Sequence, residues 1–183
     1  MVFARDTEMN LLAAAELVNT ARRRDGHDAM TTVEDVHDYF TRWGYTGRHD
    51  RDEAEVAAVR ATRDRVAHLW TVDRDTAAEL VNAMLLEADA VPFLVRHDAL
   101  DWHLHATAPG AALATVIVVE TAMGVVDLVR SDEYARMKVC EGEGCSAVLV
   151  DLSRNRSRRF CEVNSCGNRA HVAAYRARRA TSA

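Results

Sequence analysis

Apolar side chains recur every three to four residues over the first 90 positions, which is the period of an amphipathic α-helix. The pattern predicts four helices, with apolar stripes at 11–18, 33–43, 56–70 and 80–85. We expect the first helix to reach about Arg24 and the second to stop at Gly44. Residues able to cap a helix precede the four stripes: Asp6-Thr7, Thr31 with Glu34, Asp50 with Glu53, and Asp73 with Thr76.

The hydrophobic period changes after residue 90. A short apolar run at 91–96 and an alternating stretch at 100–106 predict a β-hairpin whose turn lies at 97–99. Residues 110–130 are apolar almost all round a helix, which places that helix either in the middle of a core or in a subunit interface. A short helix at about 132–138 is expected to lead into the last part of the chain.

All four cysteines lie in that last part, in two closely spaced pairs, Cys140-x4-Cys145 and Cys161-x4-Cys166. Two such pairs, separated by a stretch able to form a hairpin, are typical of a tetrahedral zinc site with four thiolate ligands. The alternatives are two disulfides, which are disfavoured without a secretion signal, or unrelated buried thiols. His171 could replace one ligand, although four thiolates already complete the shell.

The stretch between the two cysteine pairs predicts strands at 147–151 and 159–161 around a polar loop at 152–158. This arrangement describes a zinc ribbon with a helix after the last ligand. The whole pattern therefore predicts an α+β fold. A mostly helical N-terminal domain with a small β-hairpin comes first, and a C-terminal zinc ribbon plus helix follows it.

The 183 residues allow one domain, or one domain plus a small module, and 49% apolar residues exclude a disordered chain. The charged N-terminus does not match a signal peptide. The longest charge-free stretch, 106–119, is interrupted by Pro109-Gly110, so no membrane span is expected. These features predict a cytoplasmic protein.

The net charge of −5 hides a division along the chain. Residues 153–183 hold eight arginines and one acid, a net charge of +7, whereas residues 1–152 hold 15 basic and 27 acidic side chains, a net charge of −12. An acidic body followed by a basic tail suggests an anionic partner for the tail, and nucleic acid is the usual one.

The cysteine segment resembles a known family. The tetrapeptide Cys166-Gly167-Asn168-Arg169 is similar to the one that names the CGNR zinc fingers, and residues 151–161, DLSRNRSRRFC, resemble the segment before it in that family. Three residues depart from the family's usual pattern, Ala147 and Phe160 in place of tryptophan and His171 in place of lysine.

The upstream part resembles the ABATE domain, which accompanies this finger in stress-induced transcription regulators of actinobacterial type. The stretch ELVNT at 16–20 stands where that domain has a DFVNT-like motif, with Glu16 and Leu17 replacing Asp and Phe. The resemblance implies an ABATE-like sensor or dimerisation domain over 1–138 and a CGNR zinc-finger module over 139–183. It also implies one structural Zn²⁺ and a role as a DNA-binding transcription regulator.

Arginine donates two parallel hydrogen bonds to phosphate oxygens or to guanine edges, so the arginines of the tail are candidate DNA contacts. Asn168 could read a base edge or cap the last helix, and Arg169 could contact DNA or neutralise the zinc thiolates. Double-stranded DNA is preferred over RNA because of the family's role, while charge alone does not choose. A solvated arginine-rich helix, or an adaptor that binds RNA or protein, are the alternatives. The candidate contacts are Arg154, Arg156, Arg158, Arg159, Asn168, Arg169, Arg176, Arg178 and Arg179.

The acidic body could bind a small-molecule effector, form a homodimer, or do both. Asn19 and Thr20 interrupt an apolar stripe, so they either contact a ligand or bond a neighbouring backbone. His103 and His105 lie on one strand face and could chelate a second metal, although an exposed polar face is commoner.

Two further expectations concern the body. Trp43 and Trp102 are expected in the core. No nucleophile elbow, phosphate loop or metalloprotease motif is present, and a closed thiolate shell keeps no catalytic position, so no enzyme is expected.

Overall fold

The structure is a computed structural model that describes residues 3–97 and 101–181. Within these residues the chain forms six α-helices and two antiparallel two-stranded hairpins, which confirms the α+β class. The helices are α1 (Arg5–Asn19), α2 (Val33–Trp43), α3 (Glu53–His68), α4 (Arg74–Glu87), α5 (Leu113–Arg130) and α6 (Cys166–Thr181). The strands are β1 (Phe93–Val95), β2 (His103–His105), β3 (Met137–Val139) and β4 (Val148–Val150). No helix of the described residues is long and apolar enough to cross a membrane.

Helix α5 forms the centre of the body and packs against α1, α3 and α4. One apolar cluster on it includes residues of α1, α4 and β4, and a second includes residues of α1, α2 and α3. A side chain at Gly124 would meet Leu11 of α1 at 3.1 Å, so glycine lets these two helices approach closely. Of the two predicted placements, the core of one chain is therefore the one observed, and the apolar surface of α5 is occupied within that chain.

Local capping fixes where most of the body helices begin. Asp73 caps α4 as predicted, while the caps of α2 and α3 are Thr32 and Asp52 rather than Thr31 and Asp50. Thr32 forms a reciprocal capping box with Asp35, a pairing that the predicted box with Glu34 does not make. The predicted cap of α1 is wrong, because this helix follows Ala4 and has no side-chain cap.

The predicted end of α1 is also wrong, since the helix stops at Asn19 instead of Arg24. The side chain of Asn19 turns away to strand β4, and the Thr20 hydroxyl donates to the Leu17 carbonyl at 2.6 Å. Ala29 then donates to the Thr20 carbonyl at 2.9 Å, which closes the loop that follows. These contacts satisfy the end of the helix and redirect the chain.

The first hairpin pairs β1 with β2, with Val95 opposite His103 and Phe93 opposite His105. Part of its predicted turn, and Leu100, lie outside the described residues. The polar residues of β2 face inward, and His103 is only 6% exposed. The expectation that Trp102 fills the core is wrong, because its side chain is 61% exposed beneath the Arg96 guanidinium. Trp43, by contrast, is half-buried against the second apolar cluster.

The second hairpin pairs β3 with β4, with Met137 opposite Val150 and Val139 opposite Val148. The predicted partner at 159–161 is wrong, as is the predicted helix at 132–138, which is a single 3₁₀ turn (Tyr134–Arg136) followed by β3. After β4 the chain folds around the buried carboxylate of Asp151 and does not return as a strand.

Glu120 on α5 gives the body a testable pH dependence. Burial, followed by the nearby charge of Asp6, raises the pKa of its carboxyl from 4.5 to about 7. Between these two values the unfolded chain releases a proton that the folded chain keeps, so the free energy of unfolding falls as the pH rises. We expect Glu120→Gln to be more stable than the parent at pH 8 by roughly 1–3 kcal/mol.

Thermal unfolding at pH 5 and pH 8 measures this difference, which shrinks toward pH 5. The matched control is Glu79→Gln, which changes an exposed carboxylate on α4. Equal stabilities of Glu120→Gln and the parent at pH 8 would contradict the expectation.

Candidate metal centre and nucleic-acid surface

Four cysteines converge at the C-terminal side of the second hairpin. Cys140 follows β3, Cys145 precedes β4, Cys161 follows the loop, and Cys166 is the first residue of α6. All four sulfurs lie within 4.8 Å of one another, with 3.7 Å between Cys145 and Cys161 and 3.8 Å between Cys161 and Cys166. A tetrahedron with Zn–S bonds of about 2.3 Å has sulfurs about 3.8 Å apart, whereas a disulfide needs about 2.05 Å. The four thiols are free, so the disulfide alternative is wrong.

Hydrogen-bond donors surround the sulfurs. The backbone N–H groups of Gly142 and Cys161 donate to Cys140 at 3.4 and 3.2 Å. The Asn164 amide donates to Cys145 at 3.3 Å, and Arg169 donates to Cys166 at 3.0 Å. These donors stabilise the negative charge that thiolates bring to the site.

Burial opposes that charge. It raises the pKa of the Cys161 thiol to about 12 and also raises that of Cys166. At Cys145 burial acts the same way, but hydrogen bonds from Ala147 and Asn164 outweigh it and lower the pKa to about 7. A divalent cation makes four thiolates stable at this place, and the residues fit one structural Zn²⁺. His171 is exposed on α6 and is not one of the four clustered ligands.

Two glycines shape the turn between the first two zinc ligands, Cys140 and Cys145. A Cβ on Gly142 would lie 2.6 Å from the Cys166 sulfur and 2.8 Å from its Cβ, so no side chain fits there. Gly144 has a φ of +63°, which a residue without a Cβ adopts at no cost. Glycine is therefore required at 142 by the closeness of Cys166 and favoured at 144 by the backbone turn.

A buried ionic cluster holds the loop after β4. The Asp151 carboxylate is fully buried and accepts from Lys138 at 2.7 Å, from Ser153 and from the Arg158 N–H. Burial raises its pKa, but Lys138 and Ser153 outweigh burial and lower it to about 2. The buried Arg136 donates to the carbonyls of Asp151 and Ser153. No local sequence pattern predicts the cluster of Arg136, Lys138 and Asp151, and its only signal is that Lys138 is the single lysine among 23 basic residues.

Asn19 joins the helical part of the chain before β3, called the body, to the second hairpin and the cysteine segment, called the finger. Its amide donates to the Val148 carbonyl and accepts from the Val148 N–H, both at 2.8 Å, so it occupies the edge of β4 as a backbone peptide would. Trp70 of the body adds a hydrogen bond to the Leu149 carbonyl at 3.0 Å. Asn19 thus bonds a neighbouring backbone, one of its two predicted roles. Thr20 is buried and accepts from Arg63 at 3.1 Å.

A second set of contacts connects the loop after α1 to the zinc site. Arg22 donates to the Ser146 carbonyl at 2.8 Å, and Arg24 donates to the Glu143 carbonyl at 3.0 Å. Asn164 donates from the same amide group to the Arg22 carbonyl and to the Cys145 sulfur. One side chain therefore links the body backbone directly to a zinc ligand.

A cleft of about 570 Å³ lies between the body and the finger. Asn19 and Thr20 line it, as does the half-buried Trp43. Its charged lining residues come from both parts of the chain: Glu16, Arg23, Asp35, Asp38, Arg42, Arg158 and Glu162.

The candidate DNA contacts fall into two groups. Three arginines between β4 and Cys161 form ion pairs with carboxylates. The pairs are Arg156 with Glu133, Arg158 with Glu162 and Arg159 with Glu141. Arg169 lies against the Cys166 sulfur, which matches its predicted neutralising role.

The second group is exposed. Arg154 and Arg176 have no carboxylate within ion-pair distance among the described residues. Arg178 is exposed on the last turns of α6, Arg179 is exposed over the Tyr175 ring, and Asn168 is exposed in the first turn of that helix.

Comparison with protein families gives two matches. The CGNR zinc finger matches residues 136–179. The ABATE family, described as "Putative stress-induced transcription regulator", matches residues 12–132, about two thirds of the chain. Neither description is that of an enzyme. A search of curated proteins found no match.

The crowding at Gly142 generates a prediction for the zinc site. Gly142→Ala places a methyl group against the Cys166 sulfur, so we expect zinc affinity to fall at least about tenfold. Competition with a chromophoric chelator measures this affinity. Gly167→Ala is the matched control, because its Cβ would meet Phe160 at an ordinary 3.7 Å. Equal zinc affinities of the two variants would contradict the crowding argument.

Proposed function

The chain belongs to the ABATE family and ends in a CGNR zinc finger, and on that premise we propose that it is a cytoplasmic regulator that binds double-stranded DNA through its finger. In this proposal residues 1–138 form the sensing domain and residues 139–183 form the zinc-dependent DNA-binding module. The observation that carries it is the exposure of Arg154 and of the arginines at the end of α6, while Arg156, Arg158 and Arg159 are paired with carboxylates.

The polarity of α6 supports contact with an anionic partner. This helix carries four arginines and no acidic residue, and its outer residues are exposed. Arg169 and Arg176 are seven residues apart and so share one face of the helix. Phosphate contacts from such a face position a protein on DNA, while base contacts give it sequence preference. We propose that Asn168 and Arg179 flank this face, because they follow or precede its arginines by one and three residues, and that Arg178 contacts the anionic partner from the opposite side of the helix.

The cleft between body and finger is the proposed effector site. Apolar and charged side chains both line it, and they come from both parts of the chain. A ligand held there would touch Arg42 of the body and Arg158 of the finger together. Binding would then favour one arrangement of the finger relative to the body, which is how a sensing domain controls a DNA-binding module.

A homodimer stays a prediction. Because α5 is buried within one chain, we assign self-association instead to the outer face of the first hairpin, where Leu94 and Leu104 pair across the strands and are exposed. We also propose that the chain has no enzymatic activity, because a zinc ion with four thiolate ligands keeps no open position for a substrate.

Removal of two exposed arginines should weaken binding to DNA. The double variant Arg154→Gln, Arg176→Gln should bind duplex DNA at least tenfold more weakly than the parent at low salt. The plot of log affinity against log salt concentration should become shallower by about 2 units of slope, one unit for each lost phosphate contact. Fluorescence anisotropy over a salt series measures both quantities.

The matched control is the double variant Arg65→Gln, Arg130→Gln, which removes two positive charges from the body. It should bind DNA as the parent does. Equal losses in both variants would mean that only net charge matters, and no binding of the parent to any duplex would overturn the proposal. Tighter binding to single-stranded RNA than to duplex DNA would favour the adaptor alternative.

Coupling between body and finger predicts the effect of Asn19→Ala. This change leaves the N–H and carbonyl of Val148 unpaired at a buried edge, which costs roughly 1–3 kcal/mol of stability. Since the zinc ligands are untouched, the variant should still hold one zinc at the thiolate site while binding DNA several-fold more weakly. Asn82→Ala, at an exposed position of α4, is the control. Unchanged DNA affinity in Asn19→Ala would show that the contact between Asn19 and Val148 does not position the finger for DNA binding.

A further inference from the structure

Three histidines of the first hairpin converge on one point, away from the zinc finger. The Nε2 atom of His103 lies 3.2 Å from that of His97 and 3.2 Å from that of His105, and the remaining pair is 3.3 Å apart. We infer that His97, His103 and His105 form a second metal site in the body, one that takes a divalent transition-metal ion of the zinc type.

The spacing of the nitrogens fits this ion. Three imidazoles around a tetrahedral zinc with Zn–N bonds of about 2.0–2.1 Å have nitrogens roughly 3.3–3.4 Å apart. The three rings are also arranged edge to face, at interplanar angles of 80°, 89° and 62°. Rings that point their lone pairs at a common centre are tilted against one another, whereas rings that stack are parallel.

Another histidine pair in the same chain shows the contrast. His37 and His49 stack with their planes 8° apart and share one nitrogen contact of 3.1 Å. The other nitrogen of His49 lies 2.7 Å from the Glu55 carboxylate, so these groups form a linear hydrogen-bond chain. The hairpin cluster is instead a closed triangle of nitrogens.

The hydrogen bond of His103 fixes which nitrogen can bind a metal. Its Nδ1 lies 2.8 Å from the Asp101 carbonyl, which can only accept, so Nδ1 carries the proton. In the neutral ring Nε2 then presents a lone pair to the other two histidines. A ring N–H donated to a carbonyl is the usual outer contact of a metal-binding histidine.

Hydrogen bonds among the three rings alone leave one contact unsatisfied. His97 and His105 can each donate an Nε2 proton to the lone pair of His103. Their own nitrogens are then two donors 3.3 Å apart that cannot hydrogen-bond to each other. A cation at the centre satisfies all three lone pairs at once.

The surroundings of the three histidines favour a bound cation. Burial, and then the neighbouring His103 and His97, lower the pKa of His105 below its ordinary value of 6.5. The carboxylate of Asp6 accepts from the Leu104 N–H at 3.4 Å, so a negative charge lies beside β2. His97 and His105 also line a cleft of about 250 Å³, which leaves space for water or an anion as a fourth ligand.

The backbone explains why these three residues meet. His103 and His105 alternate along β2 and so lie on one face of the strand. His97 follows β1 by two residues, and β1 ends at Val95, opposite His103. The hairpin therefore brings the third ligand to the other two, and an ion would hold the two strand ends together.

Zinc stoichiometry of the full chain tests the inference. Metal-free, reduced protein is loaded with Zn²⁺, and the bound metal is counted after the excess is removed. The parent should bind two zinc ions, His97→Ala and His105→Ala should each bind one, and His68→Ala should bind two. His68 is the exposed last residue of α3 and serves as the matched control.

Cobalt distinguishes the two sites and checks folding. A thiolate-to-cobalt charge-transfer band reports the four-cysteine site, so its presence in every variant shows that the finger is formed. The parent should take up a second equivalent of Co²⁺ without increasing this band, and in His97→Ala that second affinity should fall at least tenfold. A parent that saturates at one metal per chain, or a His97→Ala variant that still binds two with parent affinity, would overturn the inference.

Discussion

Strand β4 is buried on both faces. The position of the zinc site relative to the body depends on which groups hydrogen-bond to the two edges of this strand. β3 pairs with one edge, and the side-chain amide of Asn19 pairs with the other at Val148. Val148 and Val150 pack into the core of the body, while Leu149 packs among the zinc ligands. One three-residue strand thus belongs to two cores, so the finger is fixed on the body rather than tethered to it.

This joint bears on how the proposed effector would act. Asn164 bonds both the Arg22 carbonyl and the Cys145 sulfur, so the loop after α1 and the zinc site move together. The cleft lies along this same connection and is lined by Asn19 and by Cys161. Since a ligand shifts an equilibrium only by its difference in affinity for two states, the proposed effector would act by favouring the joined arrangement over one in which these contacts are broken.

The sequence predicts features whose signal is local. Helical periodicity gave the body helices to within a few residues, and the spacing of Cys140, Cys145, Cys161 and Cys166 was enough to predict the metal, because each pair forms a turn by itself. The partner of β4 could not be predicted, since a three-residue strand carries little pattern. Asn19 and Val148 are 129 residues apart, and no periodicity reports a contact over that distance. The prediction for Trp102 was wrong although the alternation around it is real. Trp102 and Leu104 of this alternation face solvent, and the histidines of β2 face inward.

The division of the arginines changes what the charge of +7 means for DNA binding. Arg156, Arg158 and Arg159 are paired with carboxylates, and Arg169 lies on a thiolate, so the positive surface is concentrated around Arg154 and the end of α6. Two to four phosphate contacts correspond to a salt slope of roughly −2 to −4. Specific complexes at physiological salt usually rest on more contacts and on a larger interface than one small module offers. If the chain binds DNA as proposed, a single finger of this kind would need a second copy beside it to occupy one specific site, so the predicted homodimer follows from the proposed DNA binding.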